Sequence, residues 1–257
     1  YPDNQVKAFF VPEAAQYLTR FADQPAAAEV IFWMAQNYKN AGDPQKALIT
    51  ADKVMTIYPG SSGYSEALYF KARLQLEEFK EYKEAIASFE SFISNYPDNT
   101  KTRNCYFTIA KIYDENLKEY ENAVNYYRQY ADQFKTADNA VFSLKRTAEI
   151  YNKELKSLLS AVDTYTLVQE RYPNTEAGKL ALFTAASIYE EKKYYKNAVV
   201  QYAEVYKNYP KAEESLTAME RSAVLYLEKL EDIEKGKELL QMIISHFPKS
   251  KSADEAR

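Results

Sequence analysis

One histidine, His246, and one cysteine, Cys105, occur in 257 residues. A zinc site of His and Cys ligands therefore cannot be assembled within one chain, and no intrachain disulfide can form. Carboxylates alone could still hold a hard cation. His246 stands directly before Phe247, in a column with Asn95, Gln133, Arg171 and Asn208. That variable polar company predicts a surface residue, with no role as a general base or ligand. Cys105 shares its column with Ala67 and Ser143, which predicts a small packed side chain without redox chemistry. The carboxylate pairs Glu77-Glu78 and Glu190-Glu191 are sequence neighbours. On a helix such neighbours point about 100° apart and cannot jointly flank a bond, so they read as solvated faces. No phosphate-cradling glycine loop, nucleophile elbow or His-Glu-x-x-His occurs. The expectation is a non-enzyme with no catalytic residues, no cofactor and no metal site.

What positions the remaining candidates must be helical. Only 5 Gly and 9 Pro interrupt the chain, too few for the many turns of an all-β domain. The 24 Tyr supply apolar surface for a core while keeping polar tips at its rim. A net charge of −4, from 33 basic and 37 acidic residues, offers no strong field for a polyanion, so no nucleic acid partner is expected. No apolar run approaches the ~20 residues of a membrane span. The sequence starts at Tyr1 without Met, which is compatible with a removed signal peptide or lipid anchor.

An aromatic followed by proline recurs at Tyr58-Pro59, Tyr96-Pro97, Tyr172-Pro173, Tyr209-Pro210 and Phe247-Pro248, with Phe134-Lys135 as the member lacking proline. The aromatics are spaced by 38, 38, 38, 37 and 38 residues. Small residues keep the same period at Ala47, Ala85, Ala123, Ala161, Ala198 and Gly236, and again at Ala35, Ala72, Ala110, Ala148, Ala186 and Ala223. Each unit is thus a pair of helices, A and B, touching at small residues that let the axes approach. Helix B of the second unit shows its buried face as Tyr82, Ala85, Ile86, Phe89, Phe92, Ile93 and Tyr96, a helical period that excludes strands. Gly42 is placed to stop the first A helix, Asp43 to cap the following B helix, and Pro44 to occupy its first turn. The stretch Gly60-Ser61-Ser62-Gly63 reads as a two-glycine turn, with a hinge as the other reading.

This arrangement of small residues and aromatics on paired helices resembles the tetratricopeptide repeat across residues 26–249, as six units closing near Tyr58, Tyr96, Phe134, Tyr172, Tyr209 and Phe247. The period exceeds the usual ~34 residues and the leading Trp-Leu-Gly signature is absent. Longer units closing on Tyr-Pro and then Asp, Asn or Ser are similar to bacterial envelope members of that family, in the style of the outer-membrane β-barrel assembly lipoprotein and the Tol-Pal-associated periplasmic protein. Residues 1–25 read as an incomplete helical unit, since Phe21 is in register with Tyr58 yet follows Tyr1-Pro2-Asp3-Asn4 after only 20 residues. Residues 250–257 read as the start of a further helix, which predicts that the full protein continues.

The resemblance implies an all-α fold, a right-handed α-α superhelix of antiparallel helix pairs whose A helices line a concave groove for a peptide or partner helix. Aligned on the alanine column, the inward step is occupied by Trp33, Phe70, Thr108, Arg146, Thr184 and Arg221, with Asn37 one turn beyond Trp33. Glu77, Glu115, Glu154 and Glu191 edge the same groove. It is expected to be aromatic at its first units and more basic toward Arg146 and Arg221. Leu74, Ile112, Ile150, Ile188 and Leu225 are expected in the core in preference to ligand contact. The implied function is a non-catalytic protein interaction scaffold, periplasmic or outer-membrane associated, in a bacterial envelope assembly. A cytosolic adaptor or cochaperone is the alternative, with a glycan-binding lipoprotein or a non-catalytic region of an enzyme behind it. Exposed terminal helices leave self-association open.

Overall fold

Most of the sparse helix breakers among the described residues sit at or near helix ends, while Pro12 and Gly236 lie inside helices. The computed structural model describes residues 3–24 and 26–257, which form α1 (Asp3–Phe21), α2 (Ala26–Asn40), α3 (Pro44–Ile57), α4 (Ser62–Leu74), α5 (Tyr82–Asn95), α6 (Thr102–Lys111) and α7 (Tyr120–Gln133). There follow α8 (Asp138–Lys153), α9 (Leu158–Arg171), α10 (Glu176–Glu191), α11 (Tyr195–Asn208), α12 (Glu213–Glu228), α13 (Ile233–His246) and α14 (Lys251–Glu255). No strand occurs among the described residues. Tyr1 and Pro2, half of the expected N-terminal boundary, lie outside them. Even-numbered helices from α2 to α12 are A helices, and odd-numbered ones from α3 to α13 are B helices.

The chain divides into two compact units, Tyr1–Tyr126 and Tyr127–Arg257, with the boundary inside α7. In the first, α1 to α6 pack in chain order and α2 also meets α4. Its cores join Ile31, Ala35 and Val54 in one cluster and Leu68, Phe89, Phe92 and Ile109 in the next. In the second unit α8 to α14 pack in chain order and α10 also meets α12. There Leu144, Val168 and Ala185, then Leu182, Tyr202 and Val205, and finally Met219, Leu239 and Ile243 form successive clusters. Burying each of the valine, leucine, isoleucine, phenylalanine and methionine side chains among them contributes about 1.5–3 kcal/mol. The alanines of both small-residue columns are buried, as close helix approach requires. Leu74, Ile112, Ile150, Ile188 and Leu225 are likewise core residues, at 0–4% exposure.

Five of the six B helices end on an aromatic before proline, a position kept out of the α region. Tyr58, Tyr96, Tyr172, Tyr209 and Phe247 all take φ between −127° and −135° with ψ of 53–58°. Each still gives its N–H to the carbonyl four residues back. Phe134, with no proline after it, makes the same bond to Tyr130, so the turn forms without that constraint. Gly63 starts a close helix approach: a Cβ there would stand 3.2 Å from Ala28. Ser61 Oγ meanwhile donates to the Tyr58 carbonyl at 2.9 Å. The Gly60 to Gly63 stretch is therefore a tight, packed turn.

A helices end on a feature that only its first member announced. Gly42, Lys80, Lys118, Lys156, Lys193 and Glu231 all have positive φ, at 81°, 58°, 58°, 54°, 62° and 56°. The N–H of the next residue bonds back to Tyr38, Gln75, Tyr113, Tyr151, Tyr189 and Tyr226 respectively. That span is five residues at Tyr38 and Tyr189 and six elsewhere. The extra residue is accommodated by π-helical turns at Gln75–Phe79 and Ile112–Leu117, and by bonds from Leu155 to Ile150 and from Leu230 to Leu225. The shorter fifth turn explains why Tyr172 and Tyr209 are 37 residues apart, and the shorter first turn gives Phe21 and Tyr58 the same spacing.

Candidate functional site

The exposed faces of the A helices carry the candidate groove residues. Trp33 on α2 is 51% exposed, and its carbonyl accepts a 2.8 Å bond from the Asn37 carboxamide. Phe70 on α4 is half-buried edge-to-face against Phe32, ring centroids 5.6 Å apart. With Gln36, Lys39, Asn40 and Arg73 it lines a cleft of about 310 Å³ between α2 and α4. Glu77, one turn beyond Arg73, accepts from Lys39 Nζ at 3.0 Å and Arg73 Nε at 2.7 Å. Partial burial acts to raise its pKa, but these two donors win and hold the carboxyl below its ordinary value. Thr108 is half-buried on α6, and Glu115 is exposed beside Lys111 at 3.4 Å.

In the second unit the two arginines expected to make the groove basic are neutralised. Arg146 Nη1 lies 3.1 Å from Glu149, and Arg221 Nη1 lies 3.0 Å from Glu190. Glu190 also accepts the hydroxyl of buried Tyr202 at 2.7 Å, so the Arg221 end is a closed polar network. Glu154 is exposed at the end of α8, and Glu191 is exposed at the end of α10. The Thr184 hydroxyl is turned to its own helix, donating to Leu180 at 2.7 Å.

Between α8 and α10 lies a cleft of about 440 Å³, walled by Lys145, Glu149, Asn152 and Lys153 on one side and Leu180, Thr184 and Glu191 on the other. Tyr165, Ala181 and Ile188 line its apolar base. Burial, then the charge of Glu149, pushes the Tyr165 hydroxyl up to about 12, so it stays a neutral donor. Of the expected groove residues this cleft gathers only Thr184 and Glu191, while Arg146 lines a second hollow on α8 with Phe142 and Val141. Lys145, Asn152, Lys153 and Leu180 were missed, although they lie within a turn or two of Arg146 and Thr184 on the same helices. The sequence could have shown Lys145, Asn152 and Lys153 as polar steps flanking the alanine column, and Leu180 as an apolar one.

The tetratricopeptide repeat matches residues 29–61, 66–99 and 217–250 in one form and 104–132 in another, together about half of the chain. The chain belongs to the tetratricopeptide repeat family. Among solved tetratricopeptide structures, a protein from Parabacteroides merdae has 17% identity over 85% of this chain and 79% of its own, with a TM-score of 0.48. The C-terminal part of a repeat protein from Cytophaga hutchinsonii has 13% identity over 96% and 94%, also at 0.48. Pseudomonas aeruginosa pilF has 14% identity over 89% and 95%, at 0.40. No curated protein matches the chain.

In this tetratricopeptide array the two chemically tempting residues are placed as packing and surface predict. Cys105 is fully buried, and burial pushes its thiol up to about 12. His246 is exposed and shares its Nδ1 with Ser245 Oγ and the Met242 carbonyl, both at 3.0 Å. Among the described residues no cluster of three His, Cys, Asp or Glu is placed to hold a metal, and no helix is long and apolar enough to cross a membrane.

Proposed function

We propose that this tetratricopeptide array is a non-catalytic interaction scaffold, holding a peptide or partner helix against its A helices within a bacterial envelope or outer-membrane assembly. The observation that carries the binding part is the α8–α10 cleft: an apolar base, an exposed Leu180 and polar walls supplied by successive A helices. Such a slot can seat one or two side chains of a ligand while its rim bonds the ligand backbone. The envelope setting is supported by the 37–38-residue period and the Tyr-Pro closures, which resemble envelope members of the family.

The test is affinity capture of tagged full-length protein from separately prepared envelope and cytosolic fractions, comparing wild type with Leu180→Asp. An envelope protein captured by the wild type and lost by the variant is the expected result. Capture confined to cytosolic proteins overturns the envelope setting. A full partner set that ignores Leu180 moves the binding surface away from this cleft.

A further inference from the structure

The charges around the α8–α10 cleft are unevenly engaged. Glu149, midway along the α8 wall, is held by Arg146 at 3.1 Å. Lys145 and Lys153, four residues to either side of it, have no ion-pair partner among the described residues, and neither does Glu191 across the opening. The free charges at this cleft therefore sum to positive, on a protein whose net charge is −4. Residues eight apart on a helix share a face and stand about 12 Å apart. An extended peptide advances about 3.3 Å per residue with alternate side chains on one face, so its residues i and i+4 span about 13 Å with residue i+2 between them. The facing wall on α10 covers the same eight-residue span, from Leu180 to Ile188, and the Tyr165 ring and Ala181 lie at the apolar base. Asn152 adds a carboxamide able to bond a ligand backbone.

Resting on the groove reading above, we propose that this cleft selects an extended acidic segment of the pattern Glu-x-Leu-x-Glu. The two carboxylates meet Lys145 and Lys153, and the central leucine enters between Leu180 and Ile188, toward the apolar base of the cleft. Recognition is of side-chain carboxylates within a chain, by two lysines of one helix. A ligand basic at the same two positions is repelled at both.

The experiment is fluorescence anisotropy of the whole chain with three labelled peptides, carrying Glu-Ser-Leu-Ser-Glu, Gln-Ser-Leu-Ser-Gln or Lys-Ser-Leu-Ser-Lys between glycine-serine flanks. The glutamate peptide should bind about tenfold tighter than the glutamine peptide at low salt, and that margin should shrink as salt is added. The double variant Lys145→Glu, Lys153→Glu should lose the glutamate preference and gain the lysine peptide, a gain that an unfolded variant cannot produce. Equal binding of the glutamate and glutamine peptides overturns the acidic selectivity. If Leu180→Asp abolishes that equal binding, the groove reading still stands. Absence of binding to all three peptides also overturns the inference, and the groove reading is then decided by the native capture alone.

Discussion

The phenol of Tyr172 donates a 2.8 Å hydrogen bond to the backbone carbonyl of Lys135, 37 residues earlier. Tyr58 does the same to Ala22 at 2.7 Å and Tyr209 to Pro173 at 2.5 Å. Each acceptor follows a closing aromatic, Phe21, Phe134 or Tyr172, so each ring ties its own unit to the turn that ended the one before. The Ala22 bond shows that α1 ends with Phe21 standing where a B helix would place its closing ring.

Removing one tie should cost what one net hydrogen bond contributes. Tyr172→Phe keeps the ring and is expected to lower unfolding stability by about 0.5–1.5 kcal/mol, read as a shift in urea midpoint at unchanged slope. No shift at all three of Tyr58→Phe, Tyr172→Phe and Tyr209→Phe would show that water replaces these bonds without loss.

The positive-φ column makes an unusual prediction, because glycine should stabilise a helix end. Lys118 has φ of 58°, where a side chain crowds its own backbone. Lys118→Gly is expected to gain about 0.5–1 kcal/mol after glycine's extra unfolded-state entropy is deducted. Gly42→Ala should lose about 1 kcal/mol from backbone strain alone, since a Cβ there meets nothing within 4 Å. Melting curves of the two variants should move in opposite directions.

Besides the backbone N–H three residues on, which reaches it in every unit, the carbonyl of a closing aromatic takes a side-chain donor from one of two places. At Tyr172 the donor is Thr175 Oγ1, three residues on, at 2.7 Å, and Gly178 follows with room for nothing more: a Cβ would stand 2.2 Å from that carbonyl oxygen. At Tyr209 the third residue is Ala212, and Ser215, six residues on, donates at 2.5 Å. Gly178→Ala should therefore cost on the order of 2–3 kcal/mol. Ser215→Gly should cost about 1 kcal/mol, and Ala212→Thr should recover it only in that background. Additive effects in the double-mutant cycle would refute the exchange.

Alkaline pH should unfold the protein through its tyrosines. Burial first raises Tyr165 to about 12, and burial together with the Glu190 bond raises Tyr202 as well. In the unfolded chain both titrate near 10. Above that value the unfolded state sheds protons that the folded state keeps, so the stability these rings contribute is whole below pH 10 and is lost as pH climbs through the folded values. Urea midpoints should stay level from pH 8 to 9 and fall between pH 10 and 11 for wild type, and fall less for Tyr165→Phe.

The fold was legible because its signals are local and repeated. The alanine columns, the aromatic before proline, and Gly42-Asp43-Pro44 each name a helix end or a close approach by their own chemistry, and the Asp43 side chain does accept from the Lys46 N–H. Lysine, at four of the A-helix ends, and Glu231, at a fifth, carry no such signal for positive φ, so five of the six were hidden, and with them the extra residue that lengthens the period. The groove was half legible. The step occupied by Trp33 to Arg221 does lie on the A helices. Whether a charge on it is available depends on a partner in space: Glu149 at three residues from Arg146, but Glu190 at 31 from Arg221. That pairing shifted the free positive charge to Lys145 and Lys153.

Trp33 is the chain's one tryptophan, and it sits half in solvent on α2, inside the unit Tyr1–Tyr126. Its emission under selective excitation reports on that unit, whereas far-ultraviolet dichroism weighs all the helices. If the two units melt separately, the optical transitions will fail to coincide, and the offset between them measures the difference in their stabilities without any label being introduced.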